Sequence, residues 1–342
     1  MSDDLKYILN NLKEIMNIDS PSGFTQDVIA YSKKLAEEMG FETALSNKGN
    51  LIIEVPGESD DAFALCAHVD TLGLMVRSIK SDGTLAITKV GGPIMPTLDG
   101  EYCRIYTRDK KIYTGTIISN SPAVHVFKDA ETLERNVDTM CVRIDEEVKS
   151  KEDVLKLGIN NGDFIAYDPK TVITESGFVK SRFLDDKLSV SILFGVLNHI
   201  KEHQIKLKNK TYFMFSTYEE VGHGMAWIPE DISEILAVDM GCIGSDLSCT
   251  EYDVSICAKD SSGPYDQKMV DDLVRLAKEN ELSYAIDIYP YYGSDVSASL
   301  RGGNNIRGAL IGSGVAASHG MERTHIKGIE NTFKLILAYL NK

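Results

Sequence analysis

The sequence has few of the features that mark secreted, membrane-spanning or nucleic-acid-binding proteins. Its six cysteines are scattered without a CxxC pair, which argues against a disulfide framework and against a structural zinc cluster. No apolar run approaches the roughly 20 residues of a transmembrane helix. The 51 acidic residues outnumber the 36 basic ones, and this excess disfavours nucleic acid and anionic membranes as partners.

The N-terminus also lacks the order of residues that marks a signal peptide. The stretch MSDDLKYILNNLKEIM is acidic and amphipathic, whereas a signal peptide begins with basic residues followed by an apolar run. Several cysteines lie within apolar strand-like runs, where a free thiol behaves as a small hydrophobic group. We therefore predict a cytoplasmic protein, whose 342 residues, 43% of them hydrophobic, can bury one large core or two moderate ones.

Two kinds of local pattern alternate along the chain. Residues 1–73 and 168–342 alternate helical periodicity with short apolar runs, which is typical of a parallel sheet covered by helices on both faces. Residues 74–167 instead read as successive strands separated by turn signals such as Ser81-Asp82-Gly83. The prediction is an α/β catalytic domain with a mainly parallel mixed sheet, interrupted by a β-rich, barrel-like insert at 74–167.

Acids and histidines are concentrated in five short stretches at or just beyond apolar strands. In open α/β sheets, ligands bind outside the carboxyl ends of the strands. Two divalent metals need oxygen and nitrogen ligands, and three carboxylates with one hydroxide would balance the charge of two dications. We therefore predict a site for two divalent ions, whose candidate ligands are His68, Asp185, Glu220, Asp239 and His319.

Two further acids are candidates for supporting roles. Asp70 lies two residues after His68, the strand period that points both side chains the same way, so its carboxylate could orient the imidazole. Glu219 could act as a general base on water. Adjacent residues face opposite sides in mid-strand, so Glu219 and Glu220 can serve one site only if the strand ends before them, as Gly222 suggests.

Each stretch taken alone also has a structural explanation. An HxD at a strand end is more often structural than metal-binding, and adjacent acids such as Asp185-Asp186 often cap a helix. The functional reading depends on all five occurring together in a chain with seven histidines. The sequence assigns no role to four further candidates, which are His125, His223, Asp295 and His325.

Taken together, the stretches resemble those of the TET-type aminopeptidases, family forty-two of the metallopeptidases. The matching segments cover nearly the whole chain in order: AHVDTLGLMV, LGINNGDF, RFLDDKLS, YEEVGHG, AVDMG, GSDVSAS and SHGMERTH. Two places depart from the commoner pattern. Many relatives carry an Arg-Tyr pair before the last histidine, where this chain has Ala316-Ala317-Ser318, and His223 occupies an unexpected position.

The resemblance implies a role for each candidate residue. His68 and Asp239 would hold one metal, and Glu220 and His319 would hold the other. Asp185 would bridge the two ions through a non-proline cis peptide to Asp186. Two residues would support the chemistry, with Asp70 orienting His68 and Glu219 acting as the base. Zinc is the expected metal, with cobalt and manganese as alternatives that tolerate the same ligands.

The resemblance also implies an activity and an assembly. The enzyme would be an aminopeptidase that removes N-terminal residues from short peptides, on a zinc-aminopeptidase-like fold. The insert would be a dimerisation domain, and the protein a homo-oligomer of dimers, as in relatives that build a tetrahedral dodecamer. Three alternatives remain open: an amide deacylase or carboxypeptidase of the same clan, a glycosidase, as some relatives are labelled, and a non-catalytic scaffold.

Overall fold

The computed structural model describes all 342 residues and divides them into two compact units. The first consists of Met1–Asp70 and Lys170–Lys342, and the second of Thr71–Pro169. The helices are α1 (Asp3–Met16), α2 (Gln26–Glu38), α3 (Lys151–Lys156), α4 (Leu184–Glu202), α5 (Gln267–Glu279), α6 (Asp295–Arg301) and α7 (Ile326–Leu340). Two short 3₁₀ helices span Met95–Leu98 and Glu219–Val221.

Eighteen strands complete the secondary structure. The first nine are β1 (Glu42–Leu45), β2 (Leu51–Val55), β3 (Gly57–His68), β4 (Gly73–Ile79), β5 (Leu85–Val90), β6 (Glu101–Tyr106), β7 (Ile112–Ser119), β8 (Met140–Ile144) and β9 (Phe164–Tyr167). The others are β10 (Val172–Ile173), β11 (Phe178–Ser181), β12 (Leu207–Ser216), β13 (Ile232–Cys242), β14 (Val254–Asp260), β15 (Gly263–Pro264), β16 (Tyr284–Ile288), β17 (Arg307–Val315) and β18 (Glu322–His325).

A nine-stranded mixed sheet forms the centre of the first unit. Its order is β1-β2-β12-β3-β13-β17-β14-β15, and β16 pairs with β14. The middle strands β12, β3, β13 and β17 run parallel to one another, whereas β2 and β14 join them antiparallel and β1 pairs antiparallel with β2. This arrangement confirms the predicted fold class, a mainly parallel mixed sheet in an α/β domain.

Continuous burial along the middle strands explains why they lie inside the sheet. The last seven residues of β3 and the last six of β12 are all buried, as expected for strands covered on both faces. On one face α4 packs against α1, α7 and β3, and Phe194 stacks on Phe215 with ring centroids 4.9 Å apart. The opposite face carries a second apolar cluster that includes Met214, Ile235 and Tyr289.

The register of the parallel strands brings their carboxyl ends to one edge of the sheet. Ser216, the last residue of β12, pairs with His68, the last residue of β3. Asp239 of β13 pairs with Gly312 of β17. The loops that follow these strands therefore meet at the same edge, where ligand sites form in open α/β sheets.

The second unit is a closed barrel with the strand order β4-β5-β8-β7-β6-β9. Its interior is filled by fully buried aliphatic side chains, among them Ile105, Ile117 and Ile165. Several apolar side chains remain exposed on its surface, including Tyr102 and Val126. The barrel predicted from the β-rich pattern is confirmed, while its role in dimerisation stays a prediction. Across both units, none of the helices is long and apolar enough to cross a membrane.

Candidate metal centre

The structure brings the five predicted ligands together at the carboxyl edge of the sheet. His68 ends β3, Asp185 lies in the first turn of α4, and Asp239 lies in β13. Glu220 belongs to the 3₁₀ helix after β12, and His319 to the loop after β17. Four of them line one cavity of about 230 Å³ together with Glu219, and these four are Asp185, Glu220, Asp239 and His319.

Asp185 lies between the two histidines. Its Oδ1 is 3.0 Å from Nε2 of His68, and its Oδ2 is 3.6 Å from Nε2 of His319. Glu220 Oε2 is also 3.6 Å from the His319 ring, and Glu219 Oε2 is 3.6 Å from the His68 ring. The two oxygens of one carboxylate thus face different imidazoles, which is the arrangement that a bridging ligand requires. The peptide bond from Asp185 to Asp186 is cis, as the resemblance implied.

Asp70 contacts the ring of His68 with its backbone and, at a longer distance, with its carboxylate. Nδ1 lies 2.9 Å from the Asp70 carbonyl oxygen but 3.6 Å from the carboxylate Oδ1. Because a carbonyl can only accept, this hydrogen bond assigns a proton to Nδ1, and Nε2, which lies 3.0 Å from Asp185 Oδ1, is the ring nitrogen that a metal ion could bind in place of a proton. The Asp70 side chain also faces the ring, at the longer of the two distances, although β3 ends at His68.

The Asp70 carboxylate also fixes the segment that carries the two glutamates. It accepts hydrogen bonds from the backbone N–H of Glu219 at 3.1 Å and of Glu220 at 3.2 Å, and from the Ser22 hydroxyl at 2.5 Å. The strand does end before the glutamates, since β12 stops at Ser216 and a 3₁₀ turn follows. Both adjacent glutamates can therefore line one cavity.

A close approach just beyond the glutamates explains one of the glycines there. A Cβ on Gly224 would lie 2.3 Å from Oδ1 of Asp295 and 2.7 Å from Oγ of Ser216. Asp295 is itself buried and accepts hydrogen bonds from Ser216 Oγ at 2.6 Å and from the N–H of Met225 at 2.9 Å. Asp295 therefore anchors the loop after the glutamates to α6.

The buried carboxylates disfavour one another's charge. Burial raises the pKa of Glu219 and of Glu220 well above the usual range, and the negative charges of neighbouring acids add to this shift, while the charge of His68 opposes it. Burial and the charge of Asp185 raise the pKa of Asp239 to about 7. For Asp185 burial acts in the same direction, but the hydrogen bond and charge of His68 outweigh it and lower the pKa. Such a cluster is stabilised by cations that neutralise it.

The donor set fits divalent ions. Oε1 of Glu220 is buried and has no hydrogen-bond partner, which is costly unless a ligand occupies its lone pairs. Atoms of His68, Asp185 and Glu220 lie within 4.8 Å of one another, and so do atoms of His68, Glu219 and Asp239. Imidazole nitrogens and carboxylate oxygens in this number suit zinc, cobalt or manganese.

Sequence reasoning missed the part that Glu322 plays here. Its buried carboxylate accepts hydrogen bonds from the backbone N–H of Asp185 at 3.1 Å and of His319 at 3.0 Å. Glu322 therefore ties together two ligand segments that are 134 residues apart in the chain, from 185 to 319. The only signal was its place in the SHGMERTH segment, which departs from the commoner pattern.

The three histidines to which the sequence assigned no role have different surroundings. His325 caps α7 by accepting from the N–H of Lys327 at 3.1 Å, and its Nε2 is 2.9 Å from the Ser176 carbonyl, so its role is structural. The His223 ring stacks on Tyr218 with centroids 4.9 Å apart, just beyond the glutamates. His125 lies exposed in the second unit, and the structure gives it no role.

The model of the M42 glutamyl aminopeptidase family matches residues 49–335. The chain belongs to this family. It is 46% identical over 331 residues to "Putative aminopeptidase YhfE" of Bacillus subtilis (strain 168), an alignment that covers 96% of each chain. The predicted family is thus confirmed, and with it peptidase activity of the aminopeptidase kind. Membership also implies the use of a divalent metal.

Solved structures share the fold. A TET aminopeptidase from the marine sediment archaeon Thaumarchaeota archaeon SCGC AB-539-E09 superposes with a TM-score of 0.88 at 19% identity, covering 98% of this chain and 97% of that one. The TET1 peptidase of Pyrococcus horikoshii gives 0.85 at 24% identity, with 98% and 99% covered. At these identities the likeness establishes the architecture alone.

Proposed function

We propose that this aminopeptidase uses two divalent ions per chain to remove single residues from the N-terminus of short peptides. The observation that carries the proposal is the position of Asp185, whose two carboxylate oxygens face His68 and His319 separately. One ion would be held by His68 and Asp239, and the other by Glu220 and His319. Asp185 would be shared between them. Zinc suits this set best, with cobalt or manganese as alternatives.

The chain's own groups supply the proton transfers. Bound divalent ions would contribute Lewis acidity, which acidifies water and polarises a scissile carbonyl. Glu219 lines the same cavity and would accept the proton of the attacking water. Glu219 would then return this proton to the leaving amine. Asp70 would hold Glu219 in place through the backbone hydrogen bond at 3.1 Å.

The proposed ions suit a substrate with a free α-amino group. Of the four carboxylates in the cavity walls, those of Asp185, Glu220 and Asp239 would be neutralised by the bound ions, and that of Glu219 would remain. A free α-amino group offers a nitrogen lone pair to a divalent ion, whereas the amide nitrogen of a blocked N-terminus does not. The preference for a free amine distinguishes an aminopeptidase from a deacylase.

The test is hydrolysis of aminoacyl-nitroanilides, each supplied free and N-acetylated, with chelator and then with added zinc, cobalt or manganese. We expect cleavage of the free-amine forms alone, lost with chelator and restored by metal. Cleavage of blocked amines would indicate a deacylase, and cleavage that persists with chelator would remove the metal from the mechanism. The residue cleaved fastest identifies the preferred N-terminal side chain.

We also propose a cytoplasmic homo-oligomer built from dimers. The six cysteines are unpaired and five of them are buried, which suits a reducing compartment. Exposed apolar side chains on the barrel, such as Tyr102 and Val126, suit an interface between two inserts. The structurally similar TET1 peptidase of Pyrococcus horikoshii can assemble into a tetrahedron or a large octahedral shell. Light scattering on wild-type protein and on Val126→Asp should show a mass above one chain that falls in the variant.

A further inference from the structure

A second cavity adjoins the candidate metal centre. It has a volume of about 550 Å³, against about 230 Å³ for the metal-centre cavity. Gly222 lines the smaller cavity and its chain neighbour His223 lines the larger one, so the two meet at a single peptide bond. The segment from Glu219 to His223 covers four residue steps, or at most about 14 Å of extended chain.

The walls of this second cavity are largely apolar. Leu45, Ala226 and Trp227 contribute to them, and about half of the Trp227 side chain is exposed (52%). Trp227 is the only tryptophan of the protein. A half-exposed indole in a concave wall offers a rigid apolar surface against which a ligand side chain can pack.

One basic side chain, that of Lys48, lies in this apolar surface. Lys48 lines the cavity, donates a hydrogen bond to the His223 carbonyl oxygen and lies 3.4 Å from the His223 Nδ1. An ammonium group has three N–H donors, so at least one remains for a ligand. Burial lowers the pKa of Lys48, while the negative charges of Asp295 and Asp70 raise it, so the ammonium lies within reach of the acidic centre.

The turn between the two cavities is held from both sides. Lys48 binds the His223 carbonyl, and Arg301 of α6 donates to the Gly222 carbonyl at 3.5 Å. Across this turn the character of the surface changes from carboxylates to apolar groups and an ammonium. A short peptide has the complementary order, with an ammonium at its N-terminus and a carboxylate at its C-terminus.

We propose that the second cavity binds the part of a short peptide that follows the scissile bond, with the C-terminal carboxylate on Lys48 and an apolar side chain against Trp227. Two residues beyond the scissile bond extend about 7 Å, and the segment from Glu219 to His223 is folded into a tight turn that is shorter than its extended length. The substrates would be di- and tripeptides with a free C-terminus and an apolar downstream residue. This proposal rests on the proposed function, because the metal centre must process the N-terminal end.

Binding can be followed directly through the single tryptophan. In the full-length, metal-loaded Glu219→Gln protein, a tripeptide ending in phenylalanine should change the Trp227 fluorescence saturably. The free acid should bind about tenfold more tightly than the C-terminal amide, because a charge-assisted hydrogen bond is lost in the amide. Lys48→Met should remove this preference, and Lys206→Met, at an exposed lysine elsewhere, should keep it.

Kinetics on two substrates separate this proposal from the proposed function. One is the amide of the preferred N-terminal amino acid, which is too short to reach Lys48, and the other is the matching tripeptide. In otherwise wild-type enzyme, Trp227→Ala should raise the KM for the tripeptide about tenfold and leave kcat/KM for the amide within about twofold. Lys48→Met also releases the turn after the glutamates, so it should lower kcat/KM for both substrates, and about tenfold more for the tripeptide than for the amide.

The outcomes are distinguishable. If the wild-type enzyme cleaves neither substrate, the proposed function is wrong. If it cleaves both but treats free-acid and amidated tripeptides alike, with no effect of Lys48→Met, the second cavity does not bind the downstream residues. Equal losses on both substrates would show that Lys48 acts on the metal centre, and would also overturn the proposal.

Discussion

The metal centre and the barrel differ in the kind of side chain that they bury. In the barrel unit most buried side chains are apolar, the buried acid Asp163 pairs with Arg108, and Asp138 and Asp168 pair with arginines near the surface. At the carboxyl edge of the sheet, Asp185 and Asp239 are buried side by side, and burial together with the charge of Asp185 raises the pKa of Asp239. The buried side chains of the barrel stabilise the fold. At the centre, burying carboxylates close together costs free energy, and bound cations would offset this cost.

The largest effect is expected from the carboxylate between the two histidines. Asp185→Ala should lower kcat/KM at least about 1,000-fold, since both proposed ions lose a ligand. Metal content per chain, measured by mass spectrometry, should fall with it. The control is Asp168→Ala in the barrel, which removes the ion pair with Arg104 and should leave activity within about twofold. If Asp168→Ala were as inactive as Asp185→Ala, the proposed difference between the metal centre and the barrel would be contradicted.

The second-largest effect is expected on stability, in a variant whose activity is unchanged. Ile117→Ala in the barrel interior should lower the free energy of unfolding by about 2–5 kcal/mol, because it leaves a cavity at a fully buried position. Urea unfolding followed by circular dichroism measures this loss. At assay temperature the folded variant should keep its kcat for the amino-acid amide. A loss of metal binding in this variant would mean that the barrel interior contributes to the centre.

A Glu322 variant tests whether a residue that is not itself a metal ligand positions the ligands. Glu322→Gln keeps the size of the side chain but replaces one acceptor oxygen by an NH₂ donor, so the N–H of Asp185 or of His319 loses its partner. We expect metal affinity to fall about 10–100-fold, which is typical of residues that orient ligands. Chelator competition on the purified variant measures this affinity. Unchanged affinity together with a lower melting temperature would assign Glu322 to stability alone.

The smallest effect is expected at an exposed ion pair of the barrel. Arg77 lies 3.4 Å from Asp138, and more than half of each side chain is exposed. Arg77→Ala should change the free energy of unfolding by about 0–1 kcal/mol because solvent and salt screen such pairs. Urea unfolding of Arg77→Ala and Ile117→Ala under the same conditions compares their losses in free energy of unfolding. A loss larger than that of Ile117→Ala would contradict the division between interior and surface.

The fold and the candidate ligands were accessible from the sequence because both depend on short-range patterns. Buried apolar runs predict central strands, and polar residues directly after them, such as His68, meet at one edge when the strands are parallel. The sequence predicted a contact between the Asp70 carboxylate and His68, but it did not predict the shorter contact from the Asp70 carbonyl oxygen. The strand period says which way a side chain points only while the strand lasts, and β3 ends at His68.

The supporting contacts could not be predicted because they join distant parts of the chain. Glu322 contacts the backbone of Asp185 across 137 residues, and Lys48 contacts His223 across 175. No local periodicity encodes such pairs. They follow from how the loops of four strands close over one edge of the sheet, which becomes visible only in three dimensions.

The central claim is that two ions are held by five side chains while Glu219 transfers protons without binding metal. The most direct measurement is the metal content of purified wild-type and Glu219→Gln protein, determined together with their activity. We predict two ions per chain in both proteins, with activity lost only in the variant. If Glu219→Gln instead loses an ion, Glu219 is a ligand and the assignment of base and ligands is wrong.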